Sequence, residues 1–507
     1  MIPVKPHILI YAFVLLLNSS GAALAGNTAP AKEPPLPGQS APSATVSLSR
    51  TTVPTDEAGV DIVLLMDSSG SMKRTDPKNY RKDAAKLFVS LLSKDDRIGI
   101  MSFGDNATLL RRLTQNTETS RKDLFTAVNK ITSKEYSTNI TAAVKKGFDE
   151  LKTSRNKHRM LVLMSDGKLA LGDKERDDAA LAALYALLPE LVKENITLYT
   201  VAFTEESDRM LLEKMASETG GFFRFAREDK DVHLMFASIF EKIKTPDTVP
   251  FEGGSFTIDR EIREATVLIT KKPKTRLSLM DPSNNKNTAV RHTSHLAWFE
   301  SSVFDMITIQ EPLAGIWHVK QSVNEGNKVY VLTDLSLKTS FNKDFAERGD
   351  RIVIDAWLEK QGGIVTEKDV LESTTFSAEI AGPENKMITR AILSSPSNTI
   401  AGLAAGKYSA TIPIEAAGEF TIKLLAQGKT FKREKVVIIK VVEPPAAPPV
   451  ERKQAPLPAI VQQMPADEKI HWMTVLVKLG FVNLIVVSLA VGGFVLWKRA
   501  NGKREGK

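Results

Sequence analysis

The chain has 507 residues, 42% of them apolar and 25% charged, with no cysteine and a net charge of +8. That length exceeds one hydrophobic core and predicts about three domains, and the composition is that of folded protein rather than a disordered chain. Lys5, Lys478 and the basic last ten residues account for most of the charge, leaving the body from Gly26 to Trp472 at only +2. This argues against the dense basic face that phosphate contacts need, and so against nucleic acid as a partner.

In chain order, residues 1–25 read as an export signal. Lys5 precedes the apolar stretch Ile8–Leu17, and Ala23-Leu24-Ala25 forms a small-x-small cleavage pattern. An exported chain without cysteine relies on burial rather than disulfides, which fits a bacterial envelope. Residues 26–57, rich in Pro, Ala and Ser over Asn27–Pro42, read as a flexible leader.

From 58 to 245, strand-like and helix-like segments alternate, the pattern of βαβ units around a mostly parallel, doubly wound sheet. The predicted strands are Ile62–Met66, Ile98–Phe103, Thr108–Leu113, Met160–Met164, Thr197–Phe203 and Phe222–Phe225. The predicted helices are Asn79–Leu92, Ser120–Ile131, Ile140–Lys152, Asp178–Lys193, Asp208–Glu218 and Val232–Lys244. Only Gly104–Ala107 separates the second strand from the third, so these two form a hairpin with one antiparallel strand.

After Pro250 helical periodicity gives way to short alternating runs punctuated by Gly, Pro and Asn, which predicts β-sandwiches. Residues 246–330 form a first module, with strands at Ala265–Ile269, Thr275–Leu279 and Met306–Ile309 and Trp317 as a core residue. Residues 331–442 form a second, with a late strand in Ala405–Pro413. The proline-rich stretch 443–472 reads as a semi-rigid spacer. Residues 473–497 then read as a transmembrane helix: Leu479–Trp497 has no charge, and Trp472 and Trp497 bracket it as interfacial aromatics. The basic tail 498–507 is placed in the cytoplasm by the positive-inside rule, so the bulk of the chain is periplasmic or extracellular.

The most informative motif is Asp61–Ser71, DIVLLMDSSGS. A buried strand delivers Asp67 at its carboxyl end, with hydroxyls two and four residues later, where open α/β sheets place their ligand sites. A donor set of carboxylate and hydroxyl oxygens suits a hard divalent cation such as Mg²⁺ or Mn²⁺. Asp67-x-Ser69-x-Ser71 after an apolar strand resembles the metal-ion-dependent adhesion site of von Willebrand factor type A domains. That fold also carries one short antiparallel edge strand.

The resemblance implies further ligands: a Thr in a loop that opens a helix, and an Asp after another buried strand. Thr138, in Tyr136-Ser137-Thr138-Asn139, immediately precedes the helix starting at Ile140, and the apolar strand within Arg159–Met164 runs into Ser165-Asp166-Gly167. By resemblance, Ser69 and Ser71 bind the metal directly, Thr138 directly or through water, and Asp67 and Asp166 directly or through waters while supplying charge. The implied cofactor is Mg²⁺, with Mn²⁺ or Ca²⁺ as alternatives, and the open coordination position is completed by a Glu or Asp of a protein partner. Two departures from the family pattern stand out: Tyr136-Ser137 replaces the usual Gly-Gly, and Ser165 replaces the usual Thr.

Enzymatic readings fare badly. Ser69 is not in a Gly-x-Ser-x-Gly elbow, His292 and His295 lack a His-Glu-x-x-His helix, and no Gly-rich phosphate loop is present. Asp105 reads either as a ligand-face residue or as part of the hairpin turn. The expectation is a non-enzymatic, single-pass envelope protein that binds a protein partner through a cation. The rival reading is a structural scaffold whose metal loops only brace the fold.

Overall fold

The computed structural model describes residues 59–444, apart from 324, 384–385 and 395–405, together with Gly492. The expected export signal, leader, transmembrane segment and basic tail therefore lie outside the described residues, as does the spacer beyond 444. Among the described residues no helix is long and apolar enough to cross a membrane.

The first strand, β1 (Asp61–Asp67), is buried along its whole length. It is followed by α1 (Met72–Thr75), α2 (Tyr80–Leu91), β2 (Arg97–Phe103), β3 (Ala107–Gln115), α3 (Glu118–Asn129) and α4 (Ile140–Leu151). Then come β4 (Arg159–Ser165), α5 (Lys174–Lys193), β5 (Ile196–Phe203), α6 (Arg209–Glu218), β6 (Phe223–Ala226) and α7 (Val232–Lys244). The sheet order is β3-β2-β1-β4-β5-β6, parallel except for β3, which runs antiparallel to β2.

Central β1 explains the two-layered covering. Its side chains alternate, so Ile62, Leu64 and Met66 pack with α2, α3 and α7, while Val63 and Leu65 pack with α4, α5 and α6. Gly147 lets α4 lie directly on the sheet, because a Cβ there would stand 2.7 Å from Leu161 Cδ2 and 3.1 Å from Leu65 Cδ2. Helix starts are set by side-chain caps: Thr117, Asn139, Asp173 and Asp208 each accept from a backbone N–H two or three residues into the helix. The six predicted strands and six long helices are all present, with ends moved by a few residues. The four-residue α1 is an addition.

The second half is antiparallel β structure around two cores, one from Val249 to Val331 and one from Leu335 to Val441. Trp317 is buried in the first, stacked on Phe256. The expected strand Thr275–Leu279 is only Ser278–Met280. The two-residue strand Asp247–Thr248 pairs with Lys328–Thr333 on one side and with Lys432–Val442 on the other. One ten-stranded sheet thus runs through both cores.

The α/β domain is also welded to this β region through α7. Glu241 accepts from Tyr330 Oη at 3.0 Å and pairs with Lys328 at 2.9 Å. Lys242 reaches Asp344 at 2.5 Å and the Ile438 carbonyl at 2.8 Å. Buried His233 stacks on Phe304 at 4.8 Å, and the apolar core of this layer continues into Met306, Tyr330 and Ile438.

Candidate metal centre

The carboxyl end of β1 places Asp67 between β2 and β4, fully buried. Asp67 Oδ1 accepts the Ser69 N–H at 2.7 Å, which turns the chain sharply after the strand, and Oδ2 accepts the Ser165 hydroxyl at 2.6 Å. Ser165 thus supplies a hydroxyl that holds the Asp67 carboxylate in place. The turn aims the next two hydroxyls at one point: Ser69 Oγ lies 2.9 Å from Ser71 Oγ, and Ser71 Oγ donates to Asp166 Oδ1 at 2.8 Å.

Asp166 stands at the end of β4, 1% exposed. Thr138 arrives from the loop before α4, where it exchanges backbone hydrogen bonds with Ala170 at 2.9 and 3.3 Å. Gly167 places both hydroxyls beside one point of backbone: a Cβ there would be in ordinary contact with Thr138 Oγ1 at 3.4 Å and with Ser71 Oγ at 3.9 Å. The five predicted residues, Asp67, Ser69, Ser71, Thr138 and Asp166, therefore converge from three loops.

Electrostatics make the cluster costly by itself. Burial, with the Asp166 charge added, pushes the Asp67 carboxyl up to about 6, against the opposing hydrogen bonds from Ser165 and Ser69. Burial also raises Asp166, partly offset by hydrogen bonds from Thr75 and Ser71. Neither carboxylate has a Lys or Arg within ion-pair distance among the described residues. Ser68 Oγ, in the same turn, is buried with no hydrogen-bond partner among the described residues.

Three contributors were not found from the sequence. Thr75 donates to Asp166 Oδ2 from α1; its only signal is the helical i, i+4 spacing from Ser71. Arg81 and Asp76 form a fully buried ion pair at 2.5 Å. Arg81 then donates to the Thr132 carbonyl and the Ser133 hydroxyl, each at 2.8 Å, tying the first loop to the loop that carries Thr138. Glu135 Oε2 accepts the Asp105 N–H at 2.8 Å, and Asp105 Oδ1 accepts the Ser137 N–H at 2.8 Å. Asp105 is thus a turn residue that braces the Thr138 loop. Gly104 is needed beside it, since a Cβ there would meet Glu135 Cβ at 2.4 Å.

Other sequence candidates stay apart. His292 and His295 are exposed in the β region. A cavity of about 850 Å³ lies at the junction of β6, α7 and the β region, lined by Arg224, Glu241, Phe251, Lys328 and Glu419 among others and by none of the five cluster residues.

A doubly wound sheet with one antiparallel edge strand, and an oxygen cluster at its carboxyl edge, define a type A α/β domain. Residues 61–239 match the family model for the von Willebrand factor type A domain, and the chain carries that domain. Among curated proteins, inter-alpha-trypsin inhibitor heavy chain H3 of Pongo abelii is 25% identical over 202 residues, 37% of this chain and 21% of that one. The Homo sapiens counterpart is 24% identical over 201 residues, with the same shares. The match thus spans about a fifth of the length of these relatives. Among solved structures, a von Willebrand factor type A protein from Catenulispora acidiphila is 15% identical with a TM-score of 0.33, covering 61% of this chain and 64% of that one. Proximal thread matrix protein 1 from the mussel byssus, with a zinc-occupied MIDAS motif, is 16% identical with a TM-score of 0.30, covering 36% and 48%.

Proposed function

We propose that Asp67, Ser69, Ser71, Thr138 and Asp166 hold a divalent cation, Mg²⁺ first and Mn²⁺ or Ca²⁺ as alternatives, and that the protein binds a partner protein through it. The observation that carries this reading is the pair of buried carboxylates, with no Lys or Arg within ion-pair distance among the described residues and with three hydroxyls around them. Such a site is unfavourable empty and suits a hard cation with oxygen donors. Ser69, Ser71 and Thr138 supply neutral donors, while Asp67 and Asp166 supply charge. Two carboxylates formally neutralise a divalent ion, so the cation would still attract a third carboxylate from a partner.

The role is binding rather than chemistry. The hydroxyl of Ser69 is hydrogen-bonded to another hydroxyl, and among the described residues no imidazole reaches it as a base. In this reading residues 1–25 direct export and 473–497 anchor the chain in a bacterial cell membrane, with the cluster outside the cytoplasm. The second reading, bracing of a scaffold, draws on the Ser71 and Thr75 hydrogen bonds that link α1 to Asp166 without any ion.

The discriminating experiment is a pull-down from solubilised membranes in Mg²⁺ and then in EDTA, with Asp67→Ala in parallel and circular dichroism to check the fold. Capture lost in EDTA and in the variant supports cation-mediated binding. Capture that survives both in a folded protein overturns it and leaves the scaffold.

A further inference from the structure

Resting on the cation reading above, we propose that Tyr136 is a specificity-determining anchor at the rim of the metal centre. The segment it selects is acidic and carries a bulky apolar side chain close to the carboxylate that meets the cation. Tyr136 is 98% exposed, although it lies two residues from buried Thr138. Its exposure does not come from a loosely held chain. Before it, Glu135 donates its N–H to the Ser68 carbonyl at 3.2 Å and its carboxylate accepts the Asp105 N–H. After it, the Ser137 N–H is bound by Asp105 Oδ1, and Thr138 is bridged to Ala170. An aromatic ring is therefore held out in water by backbone pinned on both sides.

A side chain of this kind gives the fold nothing in isolation, yet its immobilised backbone lowers the ordering cost of a contact. Exposed aromatics beside a polar centre are the usual material of binding hot spots. On the β5 side of the centre, Met210 in the first turn of α6 is 85% exposed, just after a loop whose Ser207 hydroxyl donates to the Ser165 carbonyl at 3.0 Å. The centre thus has an apolar side chain on each flank.

Charge decides the rest of the partner's chemistry. An exposed lysine lies near the cluster residues in each of the three segments that supply them: Lys73 in α1 just beyond Ser71, Lys134 in the loop before Thr138, and Lys168 in the loop beyond Asp166. None of these lysines makes an ion pair or a side-chain hydrogen bond among the described residues, whereas neighbouring Arg74 is taken by Glu206. Three uncommitted lysines around a cation complement an acidic segment and speed its encounter. A lone small carboxylate would use neither the ring nor the lysines. The occupant is accordingly a peptide segment in which one Glu or Asp enters the centre, further acids face the lysines, and an apolar side chain covers Tyr136.

The test uses the whole protein and short immobilised synthetic peptides. One set carries a central Glu in a Gly/Ser background; the other adds Leu or Phe at successive flanking positions, each set with and without further acids. Binding is measured in Mg²⁺ and in EDTA. The expected result is Mg²⁺-dependent binding that rises roughly tenfold with an apolar neighbour at one favoured offset. That increment disappears in Tyr136→Ala, is retained in Tyr136→Phe, and the salt dependence weakens when Lys73, Lys134 and Lys168 are changed to Gln. Thermal stability in EDTA serves as the folding control, since the Tyr136 side chain is solvated. Mg²⁺-dependent binding with no apolar preference, or with a preference that survives Tyr136→Ala, overturns this proposal alone. Binding indifferent to EDTA overturns the cation reading and this proposal with it.

Discussion

The replacement Asp67→Asn separates the two roles of the first carboxylate. In the metal-free protein its carboxyl is raised from 3.8 to about 6, chiefly by burial and then by Asp166. A folded-state value above the unfolded one means that, at neutral pH, ionised Asp67 opposes folding; the shift corresponds to about 3 kcal/mol. That penalty is absent below pH 3.8 and grows as pH rises through the folded value. Asn has the same shape and offers compatible bonds: its Oδ1 can accept the Ser69 N–H and its amide can donate to the Ser165 hydroxyl. Asp67→Asn is therefore expected to stabilise the protein in EDTA at pH 7.5 by up to about 3 kcal/mol. The same change removes one of the two charges proposed to hold the cation. Calorimetric melting with and without Mg²⁺ reads both effects. Wild type gains stability with Mg²⁺ as RT ln(1 + [Mg²⁺]/Kd), about 2.7 kcal/mol at a hundredfold excess over Kd, while the variant gains little. A variant that melts lower than wild type in EDTA, or that keeps the full Mg²⁺ increment, refutes the argument.

Two further expectations concern groups outside the predicted five. Thr75→Val preserves side-chain volume but deletes the hydroxyl that orients Asp166, so Mg²⁺ affinity by titration calorimetry should fall about tenfold; an unchanged Kd removes Thr75 from the supporting shell. His233 is buried, bonded to the Lys230 carbonyl at 2.7 Å and to the Thr270 hydroxyl at 3.2 Å, and burial lowers its pKa from 6.5 to about 4. The folded protein keeps it neutral while the unfolded chain binds a proton, so stability is full above pH 6.5 and declines by about 3 kcal/mol as pH falls towards 4. His233→Gln should flatten that part of the stability–pH curve, and parallel curves for variant and wild type would sink this assignment.

The legible and illegible parts of the chain differ in the range of the interactions that define them. Strand β1 announces itself because a short apolar run ending in Asp67 has few other solutions, and α4 because Ile140, Val144, Phe148 and Leu151 share one face, all buried. Ser69 and Ser71 stand in the turn after that strand, whereas Thr138 and Asp166 come from the family resemblance, which asks for ligands at the ends of two further elements. Arg81 was hidden by the opposite logic. In Tyr80-Arg81-Lys82-Asp83 a charged side chain reads as part of a solvated helical face, yet Arg81 is fully buried because Asp76 and the Thr132 carbonyl meet it from outside the helix. Thr75 sits in a helix of four residues, too short for any periodicity. The splice between the two β cores depends on two residues, Asp247 and Thr248, whose partners Tyr330 and Glu434 are remote in sequence. No local pattern encodes that pairing.

The placement of the joint between the α/β domain and the β region bears on binding. Contacts that join the α/β domain to the β region come from α3, α6, β6 and α7: Phe125 with Phe299, Glu213 with Lys440, Arg224 with Glu419, Glu241 with Lys328 and Tyr330. Among the described residues, the loops carrying Ser69, Ser71, Thr138 and Asp166 make no such hydrogen bond or ion pair. One side of the domain is therefore immobilised by packing and buried charge, while the carboxyl edge of its sheet stays open around Tyr136 and Met210. A rigid mount lowers the entropy lost when a partner docks, because the loops at the open edge are already held by Arg81, Asp105 and Glu135. Loosening the mount, for example by protonating His233, should accordingly lower stability before it alters the geometry of the cluster.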